Sequence, residues 1–366
     1  MKDSEGAAPP RIVGYDLARA LAVFGMVVVN FKLVLGADRE PRWLADLVGL
    51  LEGRAAATFV VLAGVGISLM SRSALEAGDQ GALARVRGSL LRRAGLLFVI
   101  GLLYTPIWPA DILHFYGVYI ALAAFLLGAS SRVLGVCSAL LVSGFVVLLM
   151  VFDYERGWDW ETLSYEGFWT PDGMLRHLFF NGFHPAVPWA AFVLIGMILA
   201  RQSMYEARTR RRVFLGGATV ALLAEGLSAL LIRWSTEGAS EETREIATAL
   251  LGTAPMPPMP LYMLAGSGVA CAVIALSVEV GARWPKAAWL RPFIATGQLA
   301  LTLYVAHVVV GMGTLEALGR LENQTLPFAV TSAAIFCVAS VIFAHSWREK
   351  FRRGPLEALL RRATAG

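Results

Sequence analysis

Apolar residues in this chain come in long blocks. Blocks of about 18 or more read as membrane-crossing helices, because a hydrocarbon core about 30 Å thick offers backbone polar groups no outside partner. The pattern predicts about ten spans: Val13–Gly36, Ala55–Met70, Ala94–Ile107, Ile112–Gly128, Val133–Phe152, Ala186–Ala200, Val213–Ile232, Pro260–Val280, Phe293–Gly311 and Leu326–His345. Several are short for a core of that thickness. The expected fold class is an all-α polytopic membrane helical bundle. Its parts are a tail over 1–11, a transmembrane domain over 12–346 with outer loops at 153–185 and 233–258, and a basic tail over 347–366.

The charged positions orient these spans. Arginines crowd the polar stretches after the second span (Arg72, Arg85, Arg87, Arg92, Arg93), after the sixth (Arg201, Arg208, Arg210, Arg211, Arg212) and in the C-terminal tail. Arg283, Lys286 and Arg291 follow the eighth. With ten spans, all these stretches fall on one side, the cytoplasmic side by the excess of Lys and Arg found there. The intervening loops are acidic or neutral, with Glu237, Glu241, Glu242 and Glu245 in one of them. Both termini are therefore expected inside.

Composition agrees. The 366 residues are 57% hydrophobic and 16% charged, with a mean hydropathy of +0.62. Soluble chains carry roughly 25% charged residues, so a single globular domain with a polar skin is excluded. The net charge of +5 and pI near 9.3 follow from the topology-setting arginines. Those arginines favour contact with anionic membrane lipids over nucleic acid. Cys137, Cys271 and Cys337 fall inside apolar blocks with no metal-ligand spacing, and no disulfide framework is expected. The first apolar block is too long for a cleavable signal peptide and lacks a small-residue cleavage pattern.

Ionisable groups at bilayer depth are costly and mark function by default. At about 100° per residue, Asp16, Arg19, Val23, Met26 and Asn30 share one face of the first span, and Asp16 and Arg19 pair at i, i+3. Histidine is scarce, five in all. His114 sits in PADILHFYG, three residues after Asp111, a carboxylate able to orient an imidazole. His184 sits in NGFHPAVPW and His307 in GQLALTLYVAH. All three belong to the outer half of the membrane, at a depth comparable with Asn30 and Arg54. They are expected to share one cavity there. His177 and His345 read as structural or snorkelling. Glu225 is a lone carboxylate near the middle of the seventh span, and Lys32 reads as snorkelling at an outer helix end. The aromatic and acidic stretch DYERGWDWETLSYEGFW reads as an interfacial cap or a lid. No Walker A, HExxH, GxSxG or CxxC pattern occurs.

The opening RIVGYDLARALAVFGMVVVN resembles the Asp-x-x-Arg-Gly-x-Ala first helix of heparan-α-glucosaminide N-acetyltransferase-like membrane proteins, closest to a bacterial branch of unknown function. EGRAAATFVVLAGVGISLM, DILHFYGVYIAL, NGFHPAVPWAAFVLIGMILAR, GQLALTLYVAH and FRRGPLEALLR extend the likeness in order from residue 11 to about 362. The resemblance implies a transmembrane acyltransferase. It would take acetyl-CoA or another acyl-CoA from the cytoplasm and acylate a sugar or cell-envelope glycan on the far side of a bacterial plasma (inner) membrane. Ala20 stands where the motif has Gly. The region Asn30-Phe31-Lys32 lacks the histidine proposed as active in the animal enzyme, so direct transfer with a base from elsewhere is the mechanism left.

On this reading His184, or His114 with Asp111, supplies the catalytic base. Asp16, Arg19, Asn30, Arg54, Trp189, Gln298, His307 and Glu225 form the candidate binding set, with Arg92 and Arg93 receiving CoA phosphates. No metal is expected. A transporter or flippase for a small or lipid-linked solute is the rival, with Glu225 and the Asp16–Arg19 pair as gating charges. A non-catalytic sensor or scaffold is the third class. A homodimer is one arrangement left open.

Overall fold

Three of the long helices begin at a short polar side chain that caps them. Asp79 accepts a hydrogen bond from the Ala82 amide at 2.8 Å, Ser130 from Val133 at 3.3 Å and Thr325 from Phe328 at 3.4 Å, each satisfying a first-turn donor. The computed structural model describes residues 11–36, 40–160 and 162–364. Of the expected N-terminal tail only Arg11 is among them, and Glu161 of the outer aromatic stretch lies outside them.

In chain order, α1 (Gly14–Val34) is followed by the short α2 (Arg42–Gly49), α3 (Arg54–Glu76), α4 (Gln80–Tyr104), α5 (Leu113–Phe125) and α6 (Ser131–Val151). A two-residue hairpin, Trp158–Asp159 against Ser164–Tyr165, leads to α7 (Pro171–Arg176). A π turn, His177–Asn181, continues α7, and α8 (Ala186–Leu199) starts after a bend of 49°. Next come α9 (Ala207–Thr236), α10 (Glu241–Leu251) and α11 (Pro260–Arg283). Then α12 (Leu290–Gln298) and α13 (Ala300–Ala306) run into a second π turn, His307–Met312, and α14 (Gly313–Ala317). The chain finishes with α15 (Leu326–Lys350) and α16 (Pro355–Thr364).

Seven of these helical stretches are long and apolar enough to cross a membrane, or eight if the bent pair Pro171–Asn181 and Ala186–Leu199 is one span. The other two expected spans lie in α4, which carries Arg87, Arg92 and Arg93, and in α5, which has 13 residues. The protein is an all-α, multi-pass integral membrane bundle.

Its layers follow from burial. α1, α3 and α11 are the most enclosed of the long helices, while α6, α9 and α15 are largely bare. What the outer helices expose is apolar, including Leu140, Met150, Leu222, Leu223, Ile335 and Val338. In water such a belt would drive aggregation; against lipid tails it needs no cover. Association inside a bilayer depends on close packing, and glycine supplies it where α3 crosses α8. A Cβ on Gly64 would sit 1.9 Å from the Val193 carbonyl oxygen, and one on Gly196 would sit 2.0 Å from that of Val61.

Arg11, Arg93, Arg348, Arg352, Arg353 and Arg361 meet at one end of the bundle, as the alternation of charged loops requires. The segment drawn from sequence as a basic tail folds back there. Glu357 of α16 accepts hydrogen bonds from the Leu301 and Thr302 amides at 2.8 and 3.0 Å and from the Thr302 hydroxyl at 2.6 Å, so it caps α13. Arg92 donates to the Thr364 carbonyl from Nη2 at 3.2 Å, a cation at a helix C-terminus.

Candidate functional site

Two cavities enter the bundle from opposite ends and stop at a shared polar layer. The cavity at the arginine-rich end has a mouth of about 700 Å³, lined by Arg19, Arg93, Arg352, Arg353, Gln298 and Glu357 among others. A narrower extension of about 260 Å³ shares Arg19, Arg93 and Gln298. It runs inward past Leu62, Ile67 and Leu97 to Leu113 and Tyr116. At the far end of the bundle, a cavity of about 410 Å³ is lined by Met26, Val29, Asn30, Leu51, His184, Ile112 and Tyr304, among others. Ile112 and Leu113 are consecutive residues facing different cavities. On α13, Leu301 faces the first and Tyr304 the second. The two cavities thus lie on different sides of α13 and of the start of α5.

Asp16 organises the basic mouth. It is 3% exposed and holds Arg11 at 2.7 Å, Arg19 at 2.9 Å and the Gln298 amide at 3.3 Å. Arg19 also donates to the Gly297 carbonyl at 3.4 Å. The i, i+3 pair read from the first span is therefore a junction between α1 and α12. Arg93 reaches the same space, and its Nε is buried with no hydrogen-bond partner among the described residues.

In the polar layer, Asp111 caps α5 by accepting from the Leu113 amide at 2.9 Å and lies 3.1 Å from His114 Nδ1. The Tyr304 hydroxyl donates to its other oxygen at 3.4 Å and accepts from the Ile112 amide at 3.1 Å. The carboxylate orients the His114 ring through Nδ1, and its Nε2 is buried without a partner among the described residues. Close crossing of α4 and α5 makes this possible, since a Cβ on Gly101 would meet the His114 amide at 2.2 Å.

His307 opens the second π turn. Its Nδ1 donates to the carbonyl of Tyr304, which leaves Nε2 as an acceptor, and the Asn30 amide nitrogen lies 2.9 Å away. Asn30 is thereby held with its side chain on the far cavity. π turns inside α-helices recur at functional sites, and the two among the described residues begin at a histidine.

Of the three histidines, only His184 lines the far cavity. Its ring packs edge-on against Trp189, centroids 4.6 Å apart, and its Nδ1 is buried without a partner among the described residues. Trp189 itself is fully buried and supports His184 from behind. His307 reaches the cavity through Asn30. His114 lines neither cavity, and the Phe115 ring links it to His184, 3.9 Å from one and 6.0 Å from the other.

Arg54 and Glu225 form a 2.5 Å ion pair, with Thr253 bonded to both at 3.0 and 2.7 Å, and neither lines the basic or the far cavity. The carboxylate that looks solitary in sequence is neutralised. Lys32 likewise pairs with Glu52 at 2.6 Å, where both border the far cavity.

Sequence reasoning missed Tyr304. His177, read as a structural or snorkelling residue, is 2% exposed and stacks on His114 at 5.6 Å under the cap formed by Trp158, Tyr165 and Phe168. Only the density of aromatics in the outer loop hinted at an enclosed ring. No group of three or more His, Cys, Asp or Glu among the described residues could hold a metal.

A lipid-belted helical bundle with one basic and one largely apolar cavity, and buried hydrogen-bonding groups between them, defines a polytopic membrane protein with a cavity toward each end. Residues 11–232 match the family described as "Heparan-alpha-glucosaminide N-acetyltransferase, catalytic", and this chain belongs to that family of membrane acetyltransferases. Residues 197–366 match a second family, described as "Protein of unknown function (DUF418)". The chain is also 26% identical to the "Uncharacterized protein YeiB" of Escherichia coli (strain K12), over 97% of this chain and 96% of that protein.

Proposed function

We propose that this protein transfers an acetyl or other acyl group from a CoA thioester, bound at the arginine-rich cytoplasmic end, to a sugar-bearing acceptor admitted from the opposite side. The observation carrying this reading is the approach of two unlike cavities to one polar layer. CoA is a polyanion on a long, thin arm. The mouth offers Arg19, Arg93, Arg352 and Arg353 for its phosphates, where charge-assisted hydrogen bonds are strong. The narrow extension past Leu62 and Leu97 fits the arm. Arg93, with a buried Nε lacking a partner, is the group most in need of an anion. When bound, the thioester supplies an electrophilic acyl carbon at the polar layer.

The chain's own groups there have separable tasks. The Asn30 amide, one N–H of which is held by His307, keeps its second N–H as a fixed donor for charge developing on the acyl oxygen, while the Tyr304 hydroxyl, its proton committed to Asp111, orients the wall beside it. His184 lines the acceptor's cavity and is placed to take the proton from its hydroxyl or amine. Asp111 and His114 keep Tyr304 in position.

Thermal unfolding of purified protein with acetyl-CoA tests the reading. A ligand that binds only the folded state at about 100 times its Kd adds about 2.7 kcal/mol, so Tm should rise. CoA should be released in step with acylated product. A correctly folded protein with no shift at millimolar acetyl-CoA would favour a transporter.

A further inference from the structure

The far cavity has a lining that restricts what the acceptor can be. We infer that the acceptor is an amphiphile of the adjoining membrane leaflet, with its alkyl chain on the cavity's apolar wall and its polar head at Asn30 and His184. This rests on the acyltransferase reading above and names the substrate class of that site.

Met26, Val29 and Leu33 repeat at helical spacing on one face of α1 and form one wall; Leu51 and Ala56 face them. Polar groups occur only at two places. Asn30, His184 and Tyr304 lie where the acyl group would arrive, and the Lys32–Glu52 pair, 21% and 34% exposed, lies toward the rim. A free saccharide has hydroxyls all round its rings. Along this wall those hydroxyls would lose water without gaining partners. An alkyl chain gains by the same burial.

The rim is continuous with the bilayer. α2 immediately precedes Leu51, and its Leu44 and Val48 pack on Leu326 of α15. Its other face carries Trp43, 67% exposed, with Leu47 and, just past its end, Leu50. A short helix exposing Trp and Leu beside a transmembrane bundle has the composition of an interfacial element. The cavity mouth therefore opens at the level where lipid chains begin, and a lipid-borne head group reaches Asn30 by sliding past α2.

The test uses the full chain in nanodiscs made from a bacterial total lipid extract spiked with a phospholipid bearing a diazirine on its acyl chain. Photolysis should cross-link Val29, Leu33 and Leu51 as well as perimeter residues such as Leu222. With radiolabelled acetyl-CoA, label should enter a chloroform-extractable product. Val29→Trp, which fills the cavity, should reduce the cross-links at Leu33 and Leu51 and the chloroform-extractable label at least tenfold, with the perimeter cross-links kept, while acetyl-CoA still raises Tm. Leu33→Trp is the second variant should the first not fold. Label recovered in a water-soluble saccharide, unchanged by Val29→Trp, would overturn the inference. If neither fraction is acylated, the cross-links decide: sites inside the cavity support it, and sites confined to the perimeter refute it. Failure of acetyl-CoA to stabilise the wild-type protein would sink the acyltransferase reading itself, while the cross-link map would still report on the amphiphile.

Discussion

The side-chain amide of Asn30 lies 2.9 Å from Nε2 of His307, joining α1 to a π turn 277 residues later. The bond fixes the orientation of an amide that otherwise could rotate, and its other face borders the far cavity. Asn30→Ala should lower turnover by about 10²–10³-fold, the usual effect of deleting one oxyanion donor, with acetyl-CoA affinity nearly unchanged. His307→Ala should cost less, because it leaves Asn30 present but unanchored. His307→Gln, which can still accept from Asn30, should recover part of the loss. Steady-state kinetics on the three variants check this, and equal losses in all would assign His307 a purely structural role.

His184 has a different signature. His184→Ala should reduce the transfer rate by about 10²–10⁴-fold, as expected for loss of a general base, while the acetyl-CoA-induced rise in Tm persists. A His184→Ala protein with normal turnover would move the base to His114.

Arg93 should govern the donor rather than the chemistry. Charge-assisted hydrogen bonds contribute about 1.5–3 kcal/mol each, so Arg93→Ala should weaken acetyl-CoA binding by about 10–100-fold. Binding to wild-type protein should also weaken as salt rises, because the mouth is solvent-connected and its charges are screened. Isothermal titration at two salt concentrations measures both effects.

The Arg54–Glu225 pair is predicted to be structural. Removing one partner of a fully buried pair costs about 3–5 kcal/mol. Glu225 is 43% exposed, so Arg54→Ala should cost less than that range, seen as a lowered Tm with unchanged acetyl-CoA affinity. Replacing both residues by Leu should recover much of the loss. A selective loss of substrate turnover at full stability would instead make the pair part of the mechanism.

Orientation is directly measurable. A cysteine at Ser89, in the basic mouth, should react with a membrane-impermeant maleimide only from the cytoplasmic side, and one at Glu52 only from the other. Reversal of that pattern would invert the donor and acceptor sides.

Much of the architecture was legible along the chain because its determinants are local. A block of apolar residues is long enough to cross a bilayer or it is not, and an arginine cluster favours one side whatever its neighbours do. Asp16 and Arg19 share a helix face, as do Asp111 and His114 a helix start, so both pairs could be read from spacing. The boundaries of the third and fourth spans were harder, since α4 extends past its apolar part into arginines and α5 is short.

What the tertiary structure decided was partnership. Glu225 looks solitary in sequence, yet Arg54 meets it across 171 residues, and Tyr304 meets Asp111 across 193. Neither hydropathy nor periodicity carries information about which helix lies opposite a given face. The C-terminal segment reads as a loose basic tail because its charges are the strongest local signal. Its place over the basic cavity depends on Glu357 finding the free amides of α13. The sequence therefore determined that this chain crosses a membrane and which groups are costly there. Only packing determined which of those groups face a ligand and which satisfy one another, because a buried polar atom takes whatever partner the neighbouring helix presents.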